Sequence, residues 1–287
     1  MASSHSQSLK TVWINDRLLT EDKVRISPFD HGLLTGDGVF ETMVFRDAVP
    51  FAFTRHYQRL EKSASRFGLN LPGLEILRRA CIDVADANGL DSARIRITVT
   101  GGAAPLGSEK GDAPETIIVA AGELPRQPDV TQIVTVPYTR NENGALAGLK
   151  TTSYGENVVA LAHARANRAR EAIFGNGAGN LCEGTGSNIF IIMDGELITP
   201  PLASGCLPGV TRALVLDLCT AENIPVEQVD TPLSELQKVD AAFLTSTLRG
   251  VQPVDTVDGV KLREVGGDPV RRIQLAFNAL CANQSDP

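Results

Sequence analysis

Residues 148–166, GLKTTSYGENVVALAHARA, and residues 181–190, LCEGTGSNIF, hold the densest pattern in the chain. In the first stretch the good helix formers of residues 156–171 predict a helix. Just ahead of it stands Lys150, one of seven lysines set against 20 arginines. Most of the others sit in frankly polar settings, such as Glu61-Lys62 and Glu109-Lys110. A cation at the positive end of a helix is electrostatically disfavoured. Partial burial there adds to the pressure toward a neutral amine, the form that a Schiff-base lysine needs. The plainer alternative is a solvated loop lysine. In the second stretch the glycines precede a strand-like run, which argues against a dinucleotide-binding loop. They suggest instead a close approach of backbone to another group. Glu183 beside them reads either as a turn carboxylate or as a partner for a protonated ring nitrogen.

Composition bounds the rest. The chain has 287 residues, 43% hydrophobic and 21% charged, with a net charge of −7. These proportions are ordinary for a globular protein and do not suggest disorder. At about 100–200 residues per domain, one large or two smaller domains are expected. The acidic balance gives no basic stripe for a nucleic-acid partner. The apolar runs, such as residues 189–193, fall far short of the ~18 residues of a membrane span. Five cysteines form no Cys-x-x-Cys pair, and four histidines are scattered without ligand spacing. Neither a disulfide framework nor a metal site is expected, and a reducing cytoplasm is the simplest location.

Outward from the deciding stretch, periodicity predicts a hairpin at residues 11–19 and strands at 39–45, 93–100, 116–121 and 132–138. Helices are predicted at 55–67, 74–88, 210–222 and 269–283. A loop at 101–112 with four glycines is long enough to suggest function or mobility. Asp194-Gly195 marks a hairpin over residues 189–198, and short strands are predicted at 243–247 and 250–254. The expectation is an α+β or mixed α/β fold: a disordered tail at 1–10, a small N-terminal domain at 11–122, a linker at 123–130 and a larger C-terminal domain at 131–287.

Further pieces could take an anion. Residues 207–212, LPGVTR, open the helix at 210, where free backbone N–H groups and the Thr211 hydroxyl are donors. The bland reading is an ordinary Pro/Gly helix entry. Arg59 lies in a helical TRHYQRL segment and reads by propensity as a surface arginine. Residues 245–247 are a Thr-Ser-Thr triplet ending a strand.

Together and in this order, these segments resemble the class IV pyridoxal-phosphate-dependent aminotransferases, which include branched-chain and D-amino-acid aminotransferases and aminodeoxychorismate lyase. The resemblance runs from about Val12 to Phe277. It implies a two-domain fold with the cofactor in the cleft between the domains, and a homodimer. It implies that Lys150 forms the Schiff base with pyridoxal phosphate and that Glu183 meets the pyridine nitrogen. Arg59, Val210, Thr211 and Thr247 would hold the phosphate, Leu207 would pack on the ring, and Tyr154 would bond near the phenolic oxygen. For the substrate carboxylate it offers Arg96, with Lys110 and Arg249 as further cations.

Lys150 serves as acid and base in both the transaminase and the lyase reaction, so the core motifs do not choose between them. Residues 39–44, VFETMV, and residues 150–154, KTTSY, depart from the branched-chain pattern, and residues 36–42, GDGVFET, and 246–254, STLRGVQPV, look more like lyase-type and D-amino-acid-type members. They most resemble members called aminodeoxychorismate lyase, which release pyruvate and 4-aminobenzoate. The alternative is an aminotransferase for D-amino acids or of broad specificity.

Overall fold

The computed structural model describes residues 10–287, so all of the expected tail but Lys10 lies outside the described residues. The fold is mixed α/β and divides into two units. The first runs up to Pro125 and also takes in Lys150–Ser153 and Asp286; the second comprises Arg126–Leu149 and Tyr154–Ser285, with Pro287.

The first unit opens with β1 (Thr11–Ile14) and β2 (Arg17–Thr20), joined through Asn15 and Asp16 at φ of 41° and 70°. Asn and Asp tolerate that left-handed conformation, which matches the twist of a tight hairpin. A short helix α1 (His31–Leu34) leads into β3 (Gly38–Arg46) and β4 (Val49–Pro50). Helices α2 (Phe53–Phe67) and α3 (Leu74–Ala87) precede β5 (Ala93–Thr100) and β6 (Thr116–Glu123). The six strands form one sheet in the order β2-β1-β6-β5-β3-β4. Alternation sends Val39, Met43, Ile95 and Ile97 to one face, where they pack with Leu60 of α2 and Leu77 of α3. No described side chain caps α2 at Ala52; the carboxylate of Asp286 accepts from Thr54 N and Oγ1 at 2.8 and 2.6 Å instead.

The second unit runs β7 (Thr131–Arg140), α4 (Gly155–Ala166), β8 (Glu171–Asn176), β9 (Leu181–Gly184), β10 (Asn188–Met193), β11 (Glu196–Thr199), α5 (Val210–Ala221), β12 (Glu227–Gln228), β13 (Ala241–Ser246), β14 (Gly250–Val257), β15 (Val260–Lys261) and α6 (Asp268–Asn283). Its sheet has the order β12-β11-β10-β13-β14-β7-β8-β9, with β15 on β14. β7, α4 and β8 form a parallel crossover, the arrangement that needs a helix between its strands.

One sequence expectation fails here. The helix predicted over 156–171 stops at Ala166, and Arg168 at φ 60° turns the chain into β8. Glu171 therefore starts a strand, opposite Ile133 of β7. Parallel pairing with a segment nearly forty residues away outweighs local helix propensity, and no window of sequence contains that partner.

The glycine-rich loop at 101–112 is fastened at several points. Asp30 Oδ2 accepts from Thr100 and Thr116 at its base, at 3.0 and 2.6 Å. Farther out, His31 bonds Asp37 Oδ2 through Nδ1 at 2.8 Å and the Gly107 carbonyl through Nε2 at 3.0 Å. Both partners are acceptors, so making both bonds requires the doubly protonated ring. The Asp37 bond, then the Gly107 bond, outweigh burial and raise the His31 pKa, while nearby Lys110 opposes it. A raised folded pKa gives stability that is complete below the ordinary value of about 6.5 and is lost as pH climbs through the folded value. The amides of residues 103–110, corrected for intrinsic rates, should therefore lose protection against hydrogen exchange as pH rises above the ordinary imidazole range, and His31→Asn should flatten that profile. A wild-type profile that is already flat would refute the fastening.

Candidate active site

Lys150 is fixed by its main chain. Its carbonyl accepts from Phe40 N at 3.0 Å, and two residues on, Thr152 N donates to Gly38 O at 2.8 Å. Thr151 pairs with Val39 as an antiparallel bridge, and Lys150 N donates to Ser63 Oγ at 3.2 Å. Residues 150–152 thus extend the first unit's sheet along β3. A side chain at Gly38 would stand 2.9 Å from both Thr152 Oγ1 and the Val99 carbonyl, so this approach requires glycine. The half-buried Lys150 side chain puts Nζ 4.4 Å from the centroid of the Phe40 ring.

The next residue of β3 points the other way. Glu41, fully buried, takes Arg59 Nε on Oε1 at 2.7 Å and Arg59 Nη2 on Oε2 at 2.8 Å. His56 Nδ1 donates to the same Oε2 at 2.7 Å. Burial pushes the Glu41 pKa up, but Arg59 and then His56 outweigh it, and the net shift is down. Burial also pushes His56 down, and that outweighs the pull of Glu41. The cluster is therefore a carboxylate, a guanidinium and a neutral imidazole that donates from Nδ1.

The three substrate-site cations separate. Arg96 stands on the sheet's other face with its guanidinium 3.7 Å from the centroid of the Phe40 ring, and Nε bonds Thr98 Oγ1 at 3.1 Å. It thus shares one aromatic ring with Lys150. Lys110 is 3.4 Å from Asp37 and half exposed on its loop. Arg249, in the second unit, is committed to Gln252 Oε1 at 2.5 Å, to the Arg170 carbonyl at 3.3 Å and to Glu171 at 3.5 Å.

Glu183 lies in β9 with Oε2 accepting from Leu207 N at 2.8 Å and Oε1 3.2 Å from Arg140 Nε. That nitrogen is buried and makes no aligned hydrogen bond among the described residues, so the contact is ionic. The Arg140 guanidinium also stacks 4.2 Å from the Phe174 ring. Val210 and Thr211 form the first turn of α5, buried, behind an N-cap at Gly209 that has no side-chain cap. A side chain at Gly209 would overlap Asn188 Oδ1. Thr247 follows β13, and Tyr154 is the N-cap residue of α4.

Beyond Glu183 the chain wraps a second buried carboxylate. Glu171 accepts from Thr185 N at 3.0 Å, from the Thr185 hydroxyl, and from Ser187 Oγ at 3.0 Å. The glycines of residues 184–187 allow this wrap. Sequence reasoning assigned nothing to Arg140, Glu41, His56 or Glu171. Glu41 does leave a signal: it is the one charged residue within the apolar run VFETMVF, at the parity that faces the core.

The profile of the amino-transferase class IV family matches residues 38–257. The chain belongs to that family. A Methanocaldococcus jannaschii protein assigned as a branched-chain-amino-acid aminotransferase is 33% identical over 268 residues, covering 89% of this chain and 91% of its own. The branched-chain aminotransferase of Thermoproteus uzoniensis superposes with a TM-score of 0.89 at 27% identity, over 95% of each chain. A Legionella pneumophila protein assigned as a 4-amino-4-deoxychorismate lyase superposes with a TM-score of 0.85 at 26% identity, over 90% of this chain and 97% of its own.

Class IV aminotransferases are enzymes that use pyridoxal phosphate. The residues present fit that cofactor. Without a side-chain cap on α5, its first N–H groups are suited to a phosphate. The Arg140 guanidinium, with Nε 3.2 Å from Glu183 Oε1, places a cation beside that carboxylate. In this class IV chain Glu171→Ala would strip the acceptor from Thr185 N, Ser187 Oγ and Arg249 at once. The expected cost is about 3 kcal/mol in urea unfolding, as for a broken buried ion pair; a loss below about 1 kcal/mol would show that the wrap does not depend on Glu171.

Proposed function

We propose that the protein is an aminotransferase moving an amino group between an amino acid and a 2-oxo acid. The observation that supports this reading best is the shared Phe40 ring, which both Arg96 and Lys150 contact. A guanidinium on the same ring as the reactive amine suits the carboxylate of an amino acid, whereas Arg249 is bound to Glu171 and Gln252 and Lys110 to Asp37. The names of the relatives support it as well.

In this reading Lys150 would hold the cofactor and would move the proton at the substrate's α-carbon. Glu183 keeps the ring nitrogen protonated. Arg59, Val210, Thr211 and Thr247 hold the phosphate, Leu207 packs on the ring, and Tyr154 bonds the phenolic oxygen. When bound, pyridoxal phosphate supplies the electron sink. A homodimer and a cytoplasmic location complete the proposal. The exposed Phe29, Leu33 and Leu106 support a partner surface, and five cysteines without a Cys-x-x-Cys spacing support a reducing compartment.

One observation favours the lyase as a second reading. Arg94 and Arg96 alternate onto the same face of β5 and could together receive two carboxylates. Two assays on the cofactor-loaded protein separate the readings. One supplies aminodeoxychorismate and follows 4-aminobenzoate and pyruvate. The other supplies L- and D-amino acids with 2-oxoglutarate or pyruvate. Transamination with little 4-aminobenzoate is expected, and the reverse would make the protein the lyase. Lys150→Ala should remove both activity and the borohydride-stable cofactor bond; a bond that persists would overturn its assignment.

A further inference from the structure

We propose that Glu41 and His56 are positioning residues for the cofactor phosphate, acting by fixing the plane of the Arg59 guanidinium. The inference rests on the reading of Arg59 as a phosphate ligand.

An arginine side chain carries considerable rotamer freedom, and its guanidinium recognises an oxyanion through a planar fork whose direction matters. Here that direction is set from below. Glu41 spans Nε and Nη2 with both oxygens at 2.7 and 2.8 Å, a side-on grip that defines the plane of the fork. Glu41 could itself swing, but His56 ties Oε2 at 2.7 Å. Arg59 and His56 stand three residues apart on α2, so one helix face meets one strand residue.

The arrangement is costly for stability alone, because a buried ion pair seldom outperforms packed apolar side chains. Glu41 interrupts the apolar face of Val39, Met43 and Phe45, where an aliphatic residue would pack at no electrostatic cost. Its negative charge also cancels that of Arg59, so it does nothing to draw a phosphate by charge. What the grip contributes is aim. The neutral His56 adds a donor without adding a charge, which makes it the cleaner residue to test.

The apo protein is titrated with pyridoxal phosphate and, separately, with pyridoxal, which lacks the phosphate. His56→Leu removes the donor and leaves the charge unchanged. Its affinity for pyridoxal phosphate should fall about tenfold, the worth of one hydrogen bond to a charged group, while that for pyridoxal stays within about twofold. His56→Asn, which restores a donor toward Glu41, should recover most of the loss. Glu41→Asp keeps the charge but shortens the reach, and should weaken the phosphate form selectively as well. Equal losses for both ligands, or none for the phosphate form, would overturn the proposal. Arg59→Ala separates the two levels. If it leaves the preference for the phosphate form intact, the reading of Arg59 itself fails. If it abolishes that preference while His56→Leu and Glu41→Asp keep it, only the positioning role fails.

Discussion

The main-chain pairing of residues 150–152 with residues 38–40 is the constraint on which the first unit's chemistry depends. β4 covers only the far end of β3, pairing Pro50 with Phe45 and Val49 with Arg46. The near end would otherwise present open N–H and C=O groups. Phe40 N and Gly38 O are instead taken by Lys150 O and Thr152 N. The lysine is thus located by backbone hydrogen bonds that no side-chain substitution removes, Gly38 being the exception. From there the pleat of one strand does the rest. Phe40 faces Lys150 and Arg96, and Glu41, one residue later, faces Arg59 and His56. A one-residue slip of β3 would exchange the two sets and bury an arginine against a phenyl ring instead of a carboxylate.

The second unit treats its two buried carboxylates differently. Glu171 is enclosed, 2% exposed, with every partner inside the fold. It is structural: it shapes residues 184–187, and Arg249 helps to balance its charge. Glu183 is more open, with Leu207 N on Oε2 and Arg140 Nε beside Oε1.

Much of this was legible in the sequence where the signal was local. The hairpin at Asp194-Gly195, the helices at 55–67 and 74–88, and the strands at 39–45 and 93–100 follow from turn chemistry and periodicity. Lys150 and Glu183 stood out because an isolated lysine and a glycine-flanked carboxylate are unusual in their surroundings. β8 was illegible because its residues read as the end of a helix and its partner strand lies far back in the chain. Arg140 was invisible for a related reason: an arginine ending a strand has no local mark, and only the fold brings it to Glu183. Glu41 and His56 were half legible. A charge at a core parity announces a buried partner, but pairing it with the right residue of α2 required the packing.

The choice of reaction lies outside the part of the site that motifs encode. Holding a phosphate, protonating a ring nitrogen and presenting an amine are needed for every reaction of this cofactor, so the residues that perform them carry no information about substrate. Discrimination must come from groups that touch only the substrate. On the reading proposed for this protein such groups belong to the outer face of β5 in the first unit, where Arg94, Arg96 and Thr98 alternate with the core residues Ile95 and Ile97. A strand can change every second residue on its outer face without disturbing the core residues between them. Substrate choice in this fold can therefore change at positions such as Arg94 and Arg96 while Lys150, Glu183 and the Arg59 cluster stay in place.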